Sequence, residues 1–137
     1  MADNGSKDNT LRVVKEYVNN YPNLVRYVIE DKIQSSYAAR NKGIRVAIGE
    51  ILAFTDADCI PTKDWLKNGF LSMKGSSISM VAGRINFTYN NSEPNIWEYY
   101  DSAGKLDQKF YVENVGFGAT ANLFVRKTMF DRYGLFI

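Results

Sequence analysis

A chain of 137 residues, 45% of them hydrophobic and 23% charged, is long enough to bury a core and too apolar to be disordered. Its net charge of +2 gives no electrostatic ground for a nucleic-acid or membrane-surface partner. It has no histidine, which excludes Ser-His-Asp and Cys-His catalysis and every histidine-ligated metal site.

Asp3-Asn4-Gly5-Ser6-Lys7-Asp8-Asn9 is a cluster of turn and capping residues. Leu11, Val14 and Val18 follow at helical spacing and predict a helix from about Asp8 to Asn19, ended by Pro22. Leu24 to Ile29 reads as a short strand of β-formers. A second helix fits Ser36 to Ile48, with Tyr37, Ile44 and Ile48 on one stripe and Ala38, Ala39 and Ala47 permitting close packing. Gly49 stops it. Ile51 to Thr55 is then a short apolar strand, of the kind that parallel sheets cover on both faces. Asp56 to Pro61 leaves it as a loop, and Thr62 or Asp64 caps a helix through about Met73. Ile78 to Ala82 is the next strand. Beyond Gly83 the pattern loosens into a strand at Ile85 to Tyr89, a helix at Pro94 to Tyr100, a strand at Asn122 to Arg126 and a last helix near Lys127 to Tyr133. Alternating strands and helices argue an α/β sheet with crossovers. No repeat, low-complexity tract or linker interrupts them, so one domain over residues 1–137 is expected.

One cysteine, Cys59, cannot close an internal disulfide, which favours a reducing compartment. No apolar run approaches the roughly 20 residues that span a bilayer, and Met1 to Thr10 is too polar for a signal peptide. Sequons at Asn4-Gly5-Ser6, Asn86-Phe87-Thr88 and Asn90-Asn91-Ser92 have no secretory signal to give them meaning. The expected location is the cytoplasm, with any membrane attachment made through segments or a partner outside this chain.

The chemistry concentrates at Asp56 and Asp58. In an extended segment alternate residues face one side, about 6–7 Å apart, so both carboxylates can meet one cation. Mg2+ and Mn2+ prefer carboxylate oxygens and commonly share one or two of them with substrate phosphates. The pair leaves the carboxyl end of an apolar strand, where open α/β sheets bind ligands. A bare Asp-x-Asp is also a common acidic turn that caps the next helix, and on local pattern alone both readings stand. Trp65, Trp97 and the tyrosines from Tyr89 to Tyr111 read as core and surface aromatics, with sugar stacking as the alternative. Gly5-Ser6-Lys7 lacks the spacing of a phosphate loop, and Gly116-Phe117-Gly118 lacks the third glycine of a dinucleotide fingerprint.

Four segments in order resemble the family 2 glycosyltransferases, an inverting class with the GT-A fold. These are Asp3-Asn4-Gly5-Ser6-Lys7-Asp8-Asn9-Thr10; Ala39-Arg40-Asn41-Lys42-Gly43-Ile44 with Ala47-Ile48-Gly49-Glu50; Ile51 through Asp56-Ala57-Asp58 to Pro61 with Trp65-Leu66; and Gly118-Ala119-Thr120-Ala121-Asn122 to Lys127 with Phe130 and Gly134-Leu135-Phe136. The resemblance covers essentially the whole chain. It implies a Rossmann-like nucleotide-diphospho-sugar transferase fold, a mixed sheet flanked by helices, here incomplete. It also implies metal-dependent transfer of a hexose from a nucleoside-diphosphate sugar, UDP-sugar foremost, to a carbohydrate or lipid-linked acceptor in polysaccharide or glycolipid synthesis. By the same resemblance Asp3 meets the nucleotide base, Arg40 lies near the phosphates, and Asp56 and Ala57 bind the nucleotide sugar. Asp58, with Asp56, holds Mg2+ or Mn2+, and Gly118, Ala119 and Asn122 shape the donor-sugar and acceptor pocket.

The family continues at both ends beyond what Met1 to Ile137 contains. A first strand, a helix and a second strand precede the position of Asp3, and an acidic motif supplying the general base follows the position of Phe136. The expectation is therefore that this chain alone transfers little or no sugar. The alternative is a non-catalytic nucleotide-sugar-binding or assembly module that keeps the fold without the chemistry.

Overall fold

The computed structural model describes residues 1–75, 77–89, 94–102 and 106–137, with only the backbone of Asp101. The sequon at Asn90-Asn91-Ser92 lies outside the described residues. Along the chain run β1 (Ala2–Asp3), α1 (Thr10–Asn20), β2 (Val28–Ile29), α2 (Ser36–Val46), β3 (Ile51–Phe54), α3 (Trp65–Ser72) and β4 (Met80–Ala82). Then come α4 (Ile96–Ser102), α5 (Gln108–Phe110), a π-helical turn (Tyr111–Val115), a 3-10 turn (Thr120–Asn122), β5 (Leu123–Arg126) and α6 (Thr128–Tyr133). The chain forms two compact units, Met1–Glu50 with Lys127–Ile137, and Ile51–Arg126.

In the first unit β1 and β2 pair in parallel, Ala2 with Val28 and Asp3 with Ile29. The strand expected from Leu24 shrinks to Val28–Ile29 because the chain is still turning after α1, with the N–H groups of Leu24 and Val25 both donating to the Tyr21 carbonyl. Helix α2 starts where Ser35, extended, accepts the Ala38 N–H on its hydroxyl at 3.2 Å. Its buried face is Ala38, Asn41 and Ile44. The stripe expected through Tyr37 and Ile48 is corrected: Tyr37 is 38% exposed, and Ile48 lies beyond the helix at 78%. The reason is that small and amide side chains pack closest. A Cβ on Gly43 would stand 3.5 Å from the Ala2 Cβ, so the helix lies tightly on β1. Asn41 is tolerated inside because its amide donates to the Phe136 carbonyl at 2.8 Å and accepts the Phe136 N–H at 3.0 Å. The helix ends at extended Ala47 rather than at Gly49, and Lys127 Nζ donates to the Ala47 carbonyl at 2.5 Å.

The second unit is built on an antiparallel sheet in the order β3-β5-β4. Phe54 pairs with Leu123 and Ala82 also pairs with Leu123, so β5 is the central strand, buried at Leu123, Phe124 and Val125. The parallel pairing expected for β3 is thereby corrected. Its apolar run marks a strand but carries no direction, and with Leu52 buried beside exposed Ala53 it is covered on one face rather than two. Leu52, Met73 and the β5 residues make the core. Helix α3 reaches that core through Gly69, where a Cβ would fall 2.1 Å from Phe124 Cζ. The strand expected at Ile85 to Tyr89 is absent, since residues 83–89 take no regular structure. The helical turns from Gln108 to Val115 had no periodic signal to announce them.

Candidate active site

Strand β3 delivers Thr55 and Asp56 to the mouth of a cleft in the second unit, with a volume of about 540 Å3. The chain then turns back: the Cys59 N–H donates to the Asp56 carbonyl at 3.1 Å. Asp56 and Asp58 are thus presented by a turn and not by the extended segment expected of them. Both aspartates line the same cleft. Asp56 is half-buried, Asp58 and Ala57 are exposed, and Ala57 does not line the cleft. Cys59 Sγ lies 3.8 Å from Asp58 Oδ1, a weak contact of a small residue beside the site.

Asp64 precedes α3 without a side-chain capping bond, and the Trp65 N–H instead donates to the Thr62 carbonyl at 3.0 Å. Trp65, Arg84, Ala121 and Asn122 line the same cleft. Arg84 is a cation that lies outside the sequence motifs. Its signal was an arginine directly after Gly83, where a strand ends and a glycine admits close neighbours. Among the described residues no group of three or more His, Cys, Asp or Glu side chains gathers to hold a metal by itself. Carboxylate oxygens, which Asp56 and Asp58 bring to this cleft, are the donor type a hard cation prefers.

Asn122 lines this cleft, whereas Gly118 and Ala119 do not. Gly118 is a packing position: a Cβ there would lie 2.8 Å from Ala82 Cβ and 2.9 Å from Leu123 Cδ1. The Ala119 N–H donates to Gln108 Oε1 at 2.7 Å.

Asp3 and Arg40 belong to the first unit. Asp3 is buried at the end of β1. Its Oδ2 accepts the N–H groups of Gly5 and Ser6, each at 3.1 Å, and the Tyr27 hydroxyl at 3.3 Å, while Oδ1 accepts the Ser6 hydroxyl. The Ser6 hydroxyl bond above all, and then the backbone and Tyr27 donors, hold its carboxyl below the usual range against the opposing cost of burial. Burial, with the Asp3 charge beside it, pushes the Tyr27 phenol up. Asn4 extends the network, its amide donating to the carbonyls of Glu30 and Ile33 at 2.8 Å each. Glu30 accepts the N–H groups of Lys32 and Ile33, which lower its pKa. Arg40 sits half-buried on α2.

A family model described as "Glycosyl transferase family 2" matches residues 1–134. Over 136 residues the chain is 39% identical to glycosyltransferase AglE of Haloferax volcanii, covering 99% of this chain and 44% of that protein. It is 45% identical over 58 residues to the uncharacterized glycosyltransferase YibD of Escherichia coli, covering 42% of this chain and 16% of that one. The chain therefore spans less than half the length of these curated relatives. Among solved structures, the mannosyltransferase PcManGT from Pyrobaculum calidifontis, in complex with GDP-Man and Mn2+, superposes with a TM-score of 0.69 at 21% identity, over 98% of this chain and 36% of that chain. The likeness shows a shared mixed α/β fold of the GT-A class.

Proposed function

The chain belongs to glycosyl transferase family 2, and from that premise we propose that it carries the donor site of a transferase that moves a hexose from a nucleoside-diphosphate sugar to an acceptor hydroxyl with inversion. The observation that carries this reading is that Asp56 and Asp58 line one cleft at the end of β3. Mg2+ is commonly bound by one or two carboxylates together with a ligand's phosphates.

Asp58, with Asp56, would hold Mg2+ or Mn2+. When bound, the cation supplies Lewis-acid neutralisation of a departing diphosphate. Arg84 adds a second positive charge to the same cleft, and Trp65 offers an apolar face beside it. Asp3 and Arg40 are assigned to the nucleotide, base and phosphates respectively, and Ala57 to close backbone approach. Gly118, Ala119 and Asn122 are assigned to the sugar and acceptor side. Asp3 reaches this role already holding donors from Gly5, Ser6 and Tyr27, so a base contact would use what capacity Oδ1 retains. The acceptor class is carbohydrate or lipid-linked, in polysaccharide or glycolipid synthesis. UDP is the first nucleotide to try, and the GDP-Man held by the Pyrobaculum structure makes GDP the second.

Calorimetric titration of UDP and GDP, each with and without Mn2+, tests this. Binding is expected to depend on the metal, and Asp58→Ala is expected to abolish it. Nucleotide affinity equal to wild type in Asp58→Ala would refute the assignment.

A further inference from the structure

One buried amide in the second unit takes no part in the chemistry just described. Gln108, at the first turn of α5, is 4% exposed. Its Oε1 accepts the Ala119 N–H at 2.7 Å, and its Nε2 donates to the carbonyls of Ala119 at 3.2 Å and Asn122 at 3.1 Å. A single side chain thus satisfies both backbone groups of Ala119 and closes the 3-10 turn at its far end.

The turn passes the constraint on through Asn122. Its carbonyl also accepts the Gly83 N–H at 2.9 Å. Its side-chain nitrogen donates to the Arg84 carbonyl at 2.9 Å, and its side-chain oxygen accepts the Trp65 indole N–H at 2.9 Å. Trp65 opens the helix that follows the Asp56–Asp58 turn, and its ring packs on Phe124 with centroids 5.2 Å apart. Two glycines make room for the network. A Cβ on Gly83 would meet Asn122 Nδ2 at 2.4 Å, and one on Gly118 would meet Ala82 and Leu123. Arg84, Trp65 and Asn122 line the same cleft as Asp56 and Asp58, and each is tied to the others by a bond that ends on Gln108 or on its turn.

We propose that Gln108 is a positioning residue of the donor site: it sets the Ala119–Asn122 turn, and through Asn122 it sets Trp65 and the backbone at Arg84, at the spacing a metal–nucleotide ligand needs. The inference rests on the reading of this cleft as that site.

Two variants separate the possibilities. Gln108→Leu removes every one of these bonds at nearly constant volume. Gln108→Glu keeps the acceptor for Ala119 but donates only while protonated, and burial raises a glutamate's pKa. Ionised, it would face the carbonyls of Ala119 and Asn122 with charge and no proton, so the network in this variant is intact at low pH and lost as pH rises through the raised value. Arg84, Asp107, Lys109 and Glu113, which line a neighbouring cleft with Gln108, are common to both proteins. Their own titration is removed when each variant is compared with wild type at the same pH, and their charges set only where the introduced carboxyl titrates.

The probe is Mn2+ with UDP, added to the full chain. Its dissociation constant is read by calorimetry, the Ala119 amide by hydrogen exchange and the Trp65 indole N–H by 15N spectra. Gln108→Leu is expected to weaken binding by about fivefold or more, the value of one net hydrogen bond, and to displace the Trp65 signal. Gln108→Glu is expected to match wild type near about pH 5 and to fall behind it near about pH 8. Should Gln108→Leu fold poorly, the two pH values of Gln108→Glu carry the same comparison in one folded protein. A Gln108→Glu to wild-type affinity ratio that stays flat with pH, while the Ala119 amide loosens, would overturn the positioning role alone. No binding of Mn2+ with UDP by the wild-type chain would sink the functional reading and the positioning role with it.

Discussion

Asp3 illustrates how a short acidic side chain can hold a turn before it holds any ligand. With Gly5, Ser6 and Tyr27 all donating to it, the ionised carboxylate is favoured, so its folded pKa lies below the ordinary value of 3.8. The sign follows from linkage: the stabilisation is complete above the unfolded value and is lost as pH falls through the lower folded value. Asp3→Asn is therefore expected to be less stable than wild type at neutral pH by about 1–3 kcal/mol, the cost of leaving such donors poorly matched. The gap should narrow below about pH 3, as urea denaturation at several pH values can show. Asp3 was legible as a turn residue from its Asn-Gly-Ser context. Tyr27 was not, because it lies 24 positions away and reaches Asp3 only once β1 and β2 pair.

Local signals marked most elements and misjudged how they pack. Both aspartates of the cleft follow an apolar strand and precede a helix, as the sequence pattern required, yet the geometry that presents them is a turn. Gly69 shows propensity and packing in opposition. Alanine in mid-helix should gain about 1 kcal/mol over glycine, but its Cβ would enter the Phe124 ring at 2.1 Å. Overpacking of a core costs about 1–3 kcal/mol, and at this distance the upper part of that range applies, so Gly69→Ala is expected to destabilise. An increase in the urea midpoint would contradict this. In the first unit, Asn41→Ala removes two bonds to Phe136 and leaves its N–H and carbonyl without that partner. The expected loss is about 2 kcal/mol, with faster exchange of the Phe136 amide as its local sign. Asn41 could not have been picked from the helix pattern, which treats a polar residue as outward-facing.

At the scale of the molecule, a ligand that binds only the folded chain must stabilise it. At one hundred times its dissociation constant, Mn2+ with UDP is expected to add about 2.7 kcal/mol, a rise in Tm of roughly 10 °C for a chain of this size. Asp58→Ala should show no such rise, and EDTA should remove it from wild type. The order of the family motifs, the helix starts and the acid pair at a strand exit were determined by the sequence itself, because each depends on neighbours a few residues apart. Tertiary structure decided the antiparallel pairing of β3 with β5, the burial of Asn41 and Gln108, and the bond from Trp65 to Asn122 across 57 positions. An apolar run or an amide states only that a partner is needed. Which distant strand or backbone group supplies it depends on how the chain closes on itself, and that is settled by packing.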